Sequence, residues 1–313
     1  MEKIAYIITT YKDPFHLKRL INALDFHCDF YIHIDKKVDL EPFKKELSTL
    51  KKDVCVVNKY TVNWGGYSQI LSHKEMLGTI INSGKKYKRI VCISGLDYPV
   101  YSNSKIHEAF ENNPQKEYIV GLNISHEEPQ EVHRIINYFF VDHPFLIDNP
   151  ILAEMLKRLA NFFKINLKKS NISYLNGKKT DIFFGSDWYA LTYNCAKYVY
   201  ESLCNEKKFL RYLSTAHVPI ELCINTIVFN SSFANNAIRM PKNFALSLPG
   251  DVAFEKLSPL HYLEYRDKIK TFVAADYENI LKSNKMFCRK TETGVSDSLM
   301  DQIDRMREQG SSL

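Results

Sequence analysis

The chain has 313 residues, enough for one large domain that buries its core without disulfides or structural metals. Hydrophobic residues make up 45% and charged residues 25%, which is typical of soluble globular proteins and excludes a disordered chain. The formal net charge of +6 suits an anionic small molecule or an anionic membrane surface. The basic residues are scattered, which argues against a nucleic-acid-binding protein.

Cysteine usage indicates the compartment. The seven cysteines are odd in number, form no Cys-x-x-Cys motif and lie mostly within apolar runs, which is typical of buried, reduced thiols. A strand-like run follows Met1 almost at once, so no signal peptide is expected, and the apolar runs are shorter than the roughly 20 residues of a membrane-spanning helix. These features predict a cytoplasmic protein, compatible with peripheral contact with the inner face of a membrane.

The first hundred residues alternate between apolar runs and amphipathic segments. Strands are predicted at 4–9, 30–34, 54–57 and 89–94, and helices after Asp13-Pro14, across 40–50 and after Trp64-Gly65-Gly66-Tyr67. This order predicts an α/β fold with a Rossmann-like, mostly parallel central sheet flanked by helices. Ligands of such sheets bind beyond the carboxyl ends of the strands, where Thr9-Thr10, Asp35-Lys36 and Ser94-Gly95-Leu96-Asp97 are expected.

The second half is less regular. Residues 123–180 contain a basic amphipathic helix near 151–163 and a Lys- and Asn-rich loop, which predicts either an insertion over the sheet or a lid on the acceptor side. Residues 181–192 are predicted as a loop entering a strand, followed by a helix. Pro219-Ile220-Glu221 opens another helix, with Glu221 near the positive end of its dipole. A further short helix is predicted at 276–281, and the last 20 or so residues are expected to form a surface helix or a frayed tail.

The sequence lacks the motifs that mark several classes of enzyme. The sequence contains no Asp-x-Asp, no HExxH, no GxxxxGK[ST] and no GxSxG, and its histidines lack zinc spacing. No GxGxxG follows the first strand, which argues against a Rossmann-type oxidoreductase. If the substrate is a nucleotide sugar, fixed Arg and Lys side chains must therefore neutralise the diphosphate, and neither a metal nor another cofactor is expected.

Four short strings occur in one order along the chain: His33-Ile34-Asp35-Lys36-Lys37, Trp64-Gly65-Gly66-Tyr67-Ser68, the segment 93–100 and the segment 185–192. Over about residues 1–292 this ordered set resembles the core-2/I-branching N-acetylglucosaminyltransferase family (glycosyltransferase family 14), which includes the peptide O-xylosyltransferases. The resemblance implies a GT-A-like fold and inverting, metal-independent transfer. The implied donor is UDP-N-acetylglucosamine or UDP-xylose, and the implied acceptor is an oligosaccharide or lipid-linked glycan of a bacterial surface polysaccharide.

The resemblance also implies a domain organisation, and it leaves an alternative function open. One catalytic domain is expected at 1–292, with a nucleotide-binding half at 1–122 and an acceptor and catalytic half at 123–292, followed by a C-terminal helix or flexible tail at 293–313. The alternative is a non-catalytic module that binds nucleotide sugars or glycans on the same fold. Such a module is expected to have lost both Glu221 and Lys290, which are present.

Site residues are carried over from the family position by position. The resemblance makes Glu221 the catalytic base, although its position alone favours a carboxylate that complements a helix dipole. Lys290 is assigned to the diphosphate, with Arg289 beside it, and Arg266 is chosen as the partner with Lys268 as its substitute. Nucleotide contacts are assigned to Thr9, Thr10, Tyr11, His33, Asp35 and Lys36. Sugar and acceptor contacts are assigned to Trp64, Asp97, Arg134, Ser186, Asp187, Trp188 and Tyr265, although Trp188 fits a core position equally well.

Overall fold

The computed structural model describes residues 2–125, 135, 139, 141–142, 151–152, 155, 158–159, 173–241, 256–265 and 268–310. Thirteen strands occur within these residues. They are β1 (Ile4–Thr10), β2 (Cys28–Ile34), β3 (Cys55–Val57), β4 (Arg89–Ser94), β5 (Asp97–Pro99), β6 (Glu117–Asn123), β7 (Ser173–Leu175), β8 (Lys178–Thr180), β9 (Phe183–Phe184), β10 (Tyr189–Leu191), β11 (Ala237–Arg239), β12 (His261–Leu263) and β13 (Phe287–Arg289).

The central sheet has the strand order β11-β6-β10-β4-β1-β2-β3, and β9 pairs with β6 beside this path. Strands β1, β2, β3 and β4 are parallel, whereas β10 runs antiparallel to both β4 and β6. Two antiparallel pairings in succession give β6 the direction of β4, so the sheet is mostly parallel. This confirms the predicted α/β architecture, which is GT-A-like.

Helices cover both faces of the sheet. The helices within the described residues are α1 (Pro14–Leu24), α2 (Glu41–Leu47), α3 (Ser68–Asn82), α4 (Asn103–Glu111), α5 (Tyr193–Asn205), α6 (Lys207–Leu213), α7 (Ile220–Phe229), α8 (Tyr277–Lys282) and α9 (Asp297–Gly310). One core cluster contains Leu17 and Leu20 of α1, and a second contains Met76 and Leu77 of α3, in each case with residues of the sheet. Helices α8 and α9 contribute instead to a third cluster. Burial of these two apolar layers is the main force that holds the helices on the sheet.

A second, three-stranded sheet has the order β12-β13-β5. Because β5 follows β4 after only two residues, this small sheet lies directly beyond the carboxyl end of a central strand. The segment 95–99 was predicted only as the end of the fourth strand, and its pairing with β13 is a finding of the structure.

One prediction is corrected by the structure, and one choice between alternatives is settled. The loop expected up to Lys179 contains a β-hairpin, β7–β8, whose turn residues Asn176 and Gly177 have φ values of 52° and 72°. Positive φ at both central residues is what a two-residue hairpin turn requires, and Asn-Gly supplies it readily. Of the two alternatives for the C-terminal segment, a helix or a frayed tail, the structure has the helix, α9, which buries Leu299, Met300 and Ile303 completely.

Within the described residues, no helix is both long enough and apolar enough to span a membrane.

Candidate active site

The carboxyl ends of β1, β2 and β4 are tied together by main-chain hydrogen bonds. The amide of Asp35 donates to the carbonyl of Thr10 at 2.9 Å, and the amide of Gly95 donates to the carbonyl of Thr9 at the same distance. A Cβ atom at Gly95 would collide with the Thr10 side chain, so only glycine allows this close approach. The predicted edge therefore exists as a compact rim of three strand ends.

The residues predicted to bind the nucleotide divide into two layers at this rim. Tyr11 is 56% exposed and Lys36 is exposed, so both are accessible to a ligand. Below them, Thr10, His33 and Asp35 are buried, and Thr9 is partly buried.

The buried layer supports the rim. One carboxylate oxygen of Asp35 accepts hydrogen bonds from the amides of Lys37 at 2.9 Å and Val62 at 3.2 Å. Burial lowers the pKa of His33, although Asp35 and Glu75 oppose the shift, so the imidazole is neutral near pH 7. Its Nε2 atom accepts a bond from the Tyr60 amide at 3.4 Å. These two side chains therefore shape the loops that a nucleotide would contact.

The loop after β1 is joined to the segment after β13. Asp13 caps α1 by accepting the His16 amide at 3.0 Å, and the same carboxylate accepts the Thr293 amide and hydroxyl at 2.8 Å each. The His16 ring lies 2.7 Å from the Thr291 hydroxyl in a fully buried contact. These bonds fix the region that contains Lys290 against the rim.

Two lysines meet at this junction. Nζ of Lys12 lies 2.9 Å from Oε2 of Glu292, and Nζ of Lys290 lies 3.2 Å from Oε1 of the same carboxylate. Burial raises the pKa of Glu292, but hydrogen bonds from both lysines outweigh it and leave the pKa below its usual value. Sequence reasoning missed Lys12 and Glu292, although Lys12 directly follows the assigned Tyr11 and Glu292 lies two residues after Lys290.

Arg289 and Asp97 belong to a separate, buried cluster. Asp97 has no exposed surface, and its carboxylate accepts bonds from the Ser94 amide at 2.6 Å and from Nη1 of Arg289 at 2.8 Å. Nε2 of His261 lies 2.9 Å from the same carboxylate, and the Arg289 guanidinium lies 4.7 Å from the Trp188 ring centre. Asp97, assigned to the sugar or acceptor, instead supports Arg289 from below the surface.

The Gly185-Ser186-Asp187-Trp188 segment lies between this cluster and α7. The Ser186 side chain is 3% exposed and donates to the Trp188 carbonyl at 3.2 Å, and Trp188 is 7% exposed. Burial raises the pKa of Asp187, and the nearby Arg289 partly opposes the shift. Ser186 and Trp188 thus shape the segment, and Asp187 is its half-buried acid.

Glu221 occupies the first turn of α7. It is the only acidic or basic residue of that helix, and every residue from Leu222 to Phe229 is buried. Two buried polar side chains fix the helix: Asn225 donates to the Val120 carbonyl at 2.6 Å, and Thr226 accepts the Phe183 amide at 3.0 Å. A helix enclosed on its other faces thus holds one carboxylate at a partly exposed end.

The position of Glu221 relative to the sheet follows from strand register. Ala190 of β10 pairs with both Val91 of β4 and Tyr118 of β6, and β4 and β6 share one direction. Two residues beyond Tyr118, Val120 therefore lies level with the carboxyl end of β4. Gly185 packs against Val120 so closely that a Cβ atom would clash, and its amide donates to the Glu221 carbonyl at 3.0 Å.

The loop that carries Trp64 is joined to the residues before α7. The amide of Val218 donates to the Gly65 carbonyl at 2.9 Å, and Trp64, which is 76% exposed, lies edge-on to His217 with ring centres 5.5 Å apart. Val218 has a φ of 48°, which is strained for a β-branched residue, and such strain is concentrated at functional sites. The structure therefore brings Trp64 next to the start of the Glu221 helix.

Glu221 and Arg289 are joined through the segment 185–188. Gly185 bonds to Glu221 at one end, and Trp188 stacks on Arg289, the residue before Lys290, at the other. An extended chain spans at most about 3.6 Å per residue, so Gly185 and Trp188 are within about 11 Å of each other.

The remaining assigned residues are less informative. Lys268 is exposed and Tyr265 is partly buried, with its backbone bridged to Ile269. Arg134 and Arg266 lie outside the described residues.

In the described parts of the chain, no group of three or more His, Cys, Asp or Glu side chains is placed to hold a metal ion. An open groove of about 890 Å³ is lined by Phe15, Arg19, Asp304 and Arg307 among others, and it contains none of the assigned site residues. Metal independence thus stays a prediction, and the candidate site at the strand ends is separate from this groove.

Comparison with known proteins agrees with this architecture. The model of the Core-2/I-Branching enzyme family matches residues 4–244, which is most of the chain. The chain is also 28% identical over 108 residues to beta-1,3-galactosyl-O-glycosyl-glycoprotein beta-1,6-N-acetylglucosaminyltransferase 4 of Mus musculus. That alignment covers 33% of this chain and 24% of the mouse protein, so the chain spans about a quarter of that relative. The extent of the family match shows that the chain belongs to the core-2/I-branching enzymes, a family of glycosyltransferases.

Proposed function

We propose that the protein is an inverting, metal-independent glycosyltransferase that moves N-acetylglucosamine or xylose from a UDP-sugar to a hydroxyl group of a glycan. The observation that carries the proposal is the position of Glu221, the one charged residue of α7, in the first turn of that buried helix. A carboxylate that merely complemented a helix dipole would suit a surface helix, whereas α7 is buried along its length and exposes this one acid in part.

The proposed chemistry needs a base on one side and cations on the other. Glu221 removes the proton from the acceptor hydroxyl while its oxygen attacks the anomeric carbon. The bond from that carbon to the diphosphate oxygen breaks, and UDP leaves with the electron pair of this bond. The anomeric carbon is left with inverted configuration. Lys290 stabilises the negative charge that develops on the departing diphosphate.

The exposed aromatic residue beside α7 supports an acceptor site on the Glu221 side. Trp64 is 76% exposed and held in place by the Gly65–Val218 hydrogen bond, so its ring is available to stack on a sugar face. We propose an oligosaccharide or lipid-linked glycan as the acceptor, in bacterial surface polysaccharide synthesis. The exposed lysines of the chain are compatible with cytoplasmic reaction at an anionic membrane surface.

The first experiment tests donor binding and then transfer. A thermal-shift screen against UDP, UDP-N-acetylglucosamine, UDP-xylose and other nucleotide sugars should raise Tm with one or more of them. With a binding donor, Glu221→Gln is expected to retain that shift and to lose transfer to the acceptor by at least a hundredfold. Glu278→Gln is the matched control, because Glu278 is also a first-turn acid but lies exposed on α8.

Two results would contradict the proposal. Turnover by Glu221→Gln close to that of the unaltered protein would remove the assigned base, and donor binding without transfer by the unaltered protein would favour the non-catalytic module. EDTA is expected to leave activity intact. Complete loss of activity in EDTA, restored by added Mn²⁺, would refute metal independence.

A further inference from the structure

We propose that Lys12 is a second phosphate-binding lysine, which acts with Lys290 on the diphosphate of the donor. The inference rests on the proposed function, because it names how the same site holds its leaving group. It replaces the choice of Arg266, which lies outside the described residues, with a residue whose contacts the structure describes.

The two ammonium groups converge on one carboxylate. Nζ of Lys12 lies 2.9 Å from Oε2 of Glu292, and Nζ of Lys290 lies 3.2 Å from Oε1. Lys12 comes from the start of the chain, whereas Lys290 and Glu292 lie near its end. Lys12 lies two residues beyond Thr10, the end of β1, and thus at the rim where parallel sheets bind ligands.

Glu292 itself is anchored, so the pair is fixed before any ligand arrives. The Thr271 hydroxyl donates to Oε1 of Glu292 at 3.3 Å, and the Glu292 amide donates to the Ser296 hydroxyl at 3.1 Å. Lysine is a flexible point charge, and holding it in place reduces the entropy that is lost when a phosphate binds. A lysine held in this way can bind phosphate more tightly than a freely rotating one.

The pair retains both charge and hydrogen-bonding capacity. Each ammonium group has three N–H donors, and the contact with Glu292 uses one of them. Two donors on each lysine remain for phosphate oxygens. Two lysines and one carboxylate carry a net charge of +1, which favours an anion at this position.

Neighbouring cations are engaged elsewhere. Arg289 is paired with the buried Asp97 at 2.8 Å. Lys270 contacts Asp276 at 2.6 Å and Glu264 at 3.4 Å. Lys12 is 36% exposed and its carboxylate partner is shared, so it is better placed than either to accept a new anion.

The test compares UDP with uridine, because the two ligands differ by the diphosphate alone. Binding of each is measured by calorimetry for the unaltered protein, Lys12→Ala, Lys290→Ala and the control Lys18→Ala. Lys18 lies on α1, is 32% exposed and pairs with Glu46 at 3.1 Å. We expect Lys12→Ala to weaken UDP binding at least tenfold, to leave uridine binding unchanged and to reduce the salt dependence of UDP binding. Lys18→Ala should change none of these.

Lys12→Arg should restore most of the UDP affinity, since it keeps the charge. If Lys12→Ala unfolds, Lys12→Gln makes the same comparison, because its amide can still donate to Glu292. UDP binding by a folded Lys12 variant equal to that of the unaltered protein, with Lys290→Ala weakened, would overturn the inference and leave the proposed function standing. Failure of the unaltered protein to bind UDP would instead overturn the proposed function.

Discussion

The buried Asp97 cluster allows a prediction about stability and its dependence on pH. Asp97→Asn keeps the size of the side chain and one carbonyl acceptor, but it removes the charge that faces Arg289 and His261. The Asp97 carboxylate has no solvent contact to replace those partners. Removing one member of a buried ion pair costs about 3–5 kcal/mol, and because asparagine can still accept one hydrogen bond we expect about 2–4 kcal/mol.

The pH dependence has a defined sign. Burial raises the pKa of Asp97, but His261 and Arg289 outweigh burial and hold it below its usual value. The unfolded chain therefore takes up this proton at a higher pH than the folded protein does. The contribution of Asp97 to stability is complete above the unfolded pKa of about 3.9 and is lost as the pH falls through the folded value. The stability difference between the two proteins should thus shrink below about pH 4.

Urea unfolding at pH 7 and at pH 3.5 measures both effects. At about 2–4 °C per kcal/mol for a large domain, the melting temperature of the variant should also be about 4–16 °C lower at pH 7. Asp301→Asn is the control, because Asp301 is 56% exposed and pairs with Arg19 at the surface, where such a pair contributes about 0–1 kcal/mol. An Asp97→Asn loss no larger than that of the control, or a difference that grows in acid, would refute the reasoning.

Two further predictions concern other buried positions. Burial lowers the pKa of His73 to about 4, so the unfolded state takes up a proton at this histidine before the folded state does as the pH falls. The free energy of unfolding should therefore decrease by about 2 kcal/mol between pH 7 and pH 5. His73→Gln should flatten that part of the urea-unfolding profile, and parallel profiles would contradict the assignment. Gly185→Ala should cost about 1–3 kcal/mol in thermal unfolding, since the new Cβ meets the Val120 carbonyl and the Asn225 amide. Gly185→Ala should also slow the proposed sugar transfer by displacing Glu221. Unchanged stability would show that the segment 185–188 can move away from Val120 and Asn225.

The parts of the fold that were predicted correctly depend on local signals. Asp13-Pro14 predicted the start of α1, and in the structure Asp13 caps that helix by accepting the His16 amide. The apolar runs of β1 and β4 identified buried parallel strands, because such strands are covered on both faces. The β7–β8 hairpin was also signalled locally, by Asn176-Gly177, but the Lys- and Asn-rich composition was interpreted as a loop.

The parts that could not be predicted depend on distant pairings. Lys12 and Glu292 are 280 residues apart, and Asp97 and Arg289 are 192 residues apart. No periodicity or motif in a single sequence indicates which charged residues will meet over such separations. The sequence could therefore supply Glu221 and Lys290 through resemblance, but not the carboxylate that joins Lys290 to Lys12 or the buried role of Asp97.

These pairings also support the proposal that lysines rather than arginines bind the diphosphate. Arginine is suited to planar, partly buried contacts, and at this edge Arg289 makes two of them, with the Asp97 carboxylate and the Trp188 ring. Its guanidinium thereby holds the segment 185–188, whose first residue bonds to Glu221. Lys12 and Lys290, whose side chains are 36% and 23% exposed, keep donors that the contact with Glu292 does not use. In the proposed mechanism, this division gives the arginine to the framework around the proposed base, Glu221, and leaves the two lysines for the charge of the leaving group.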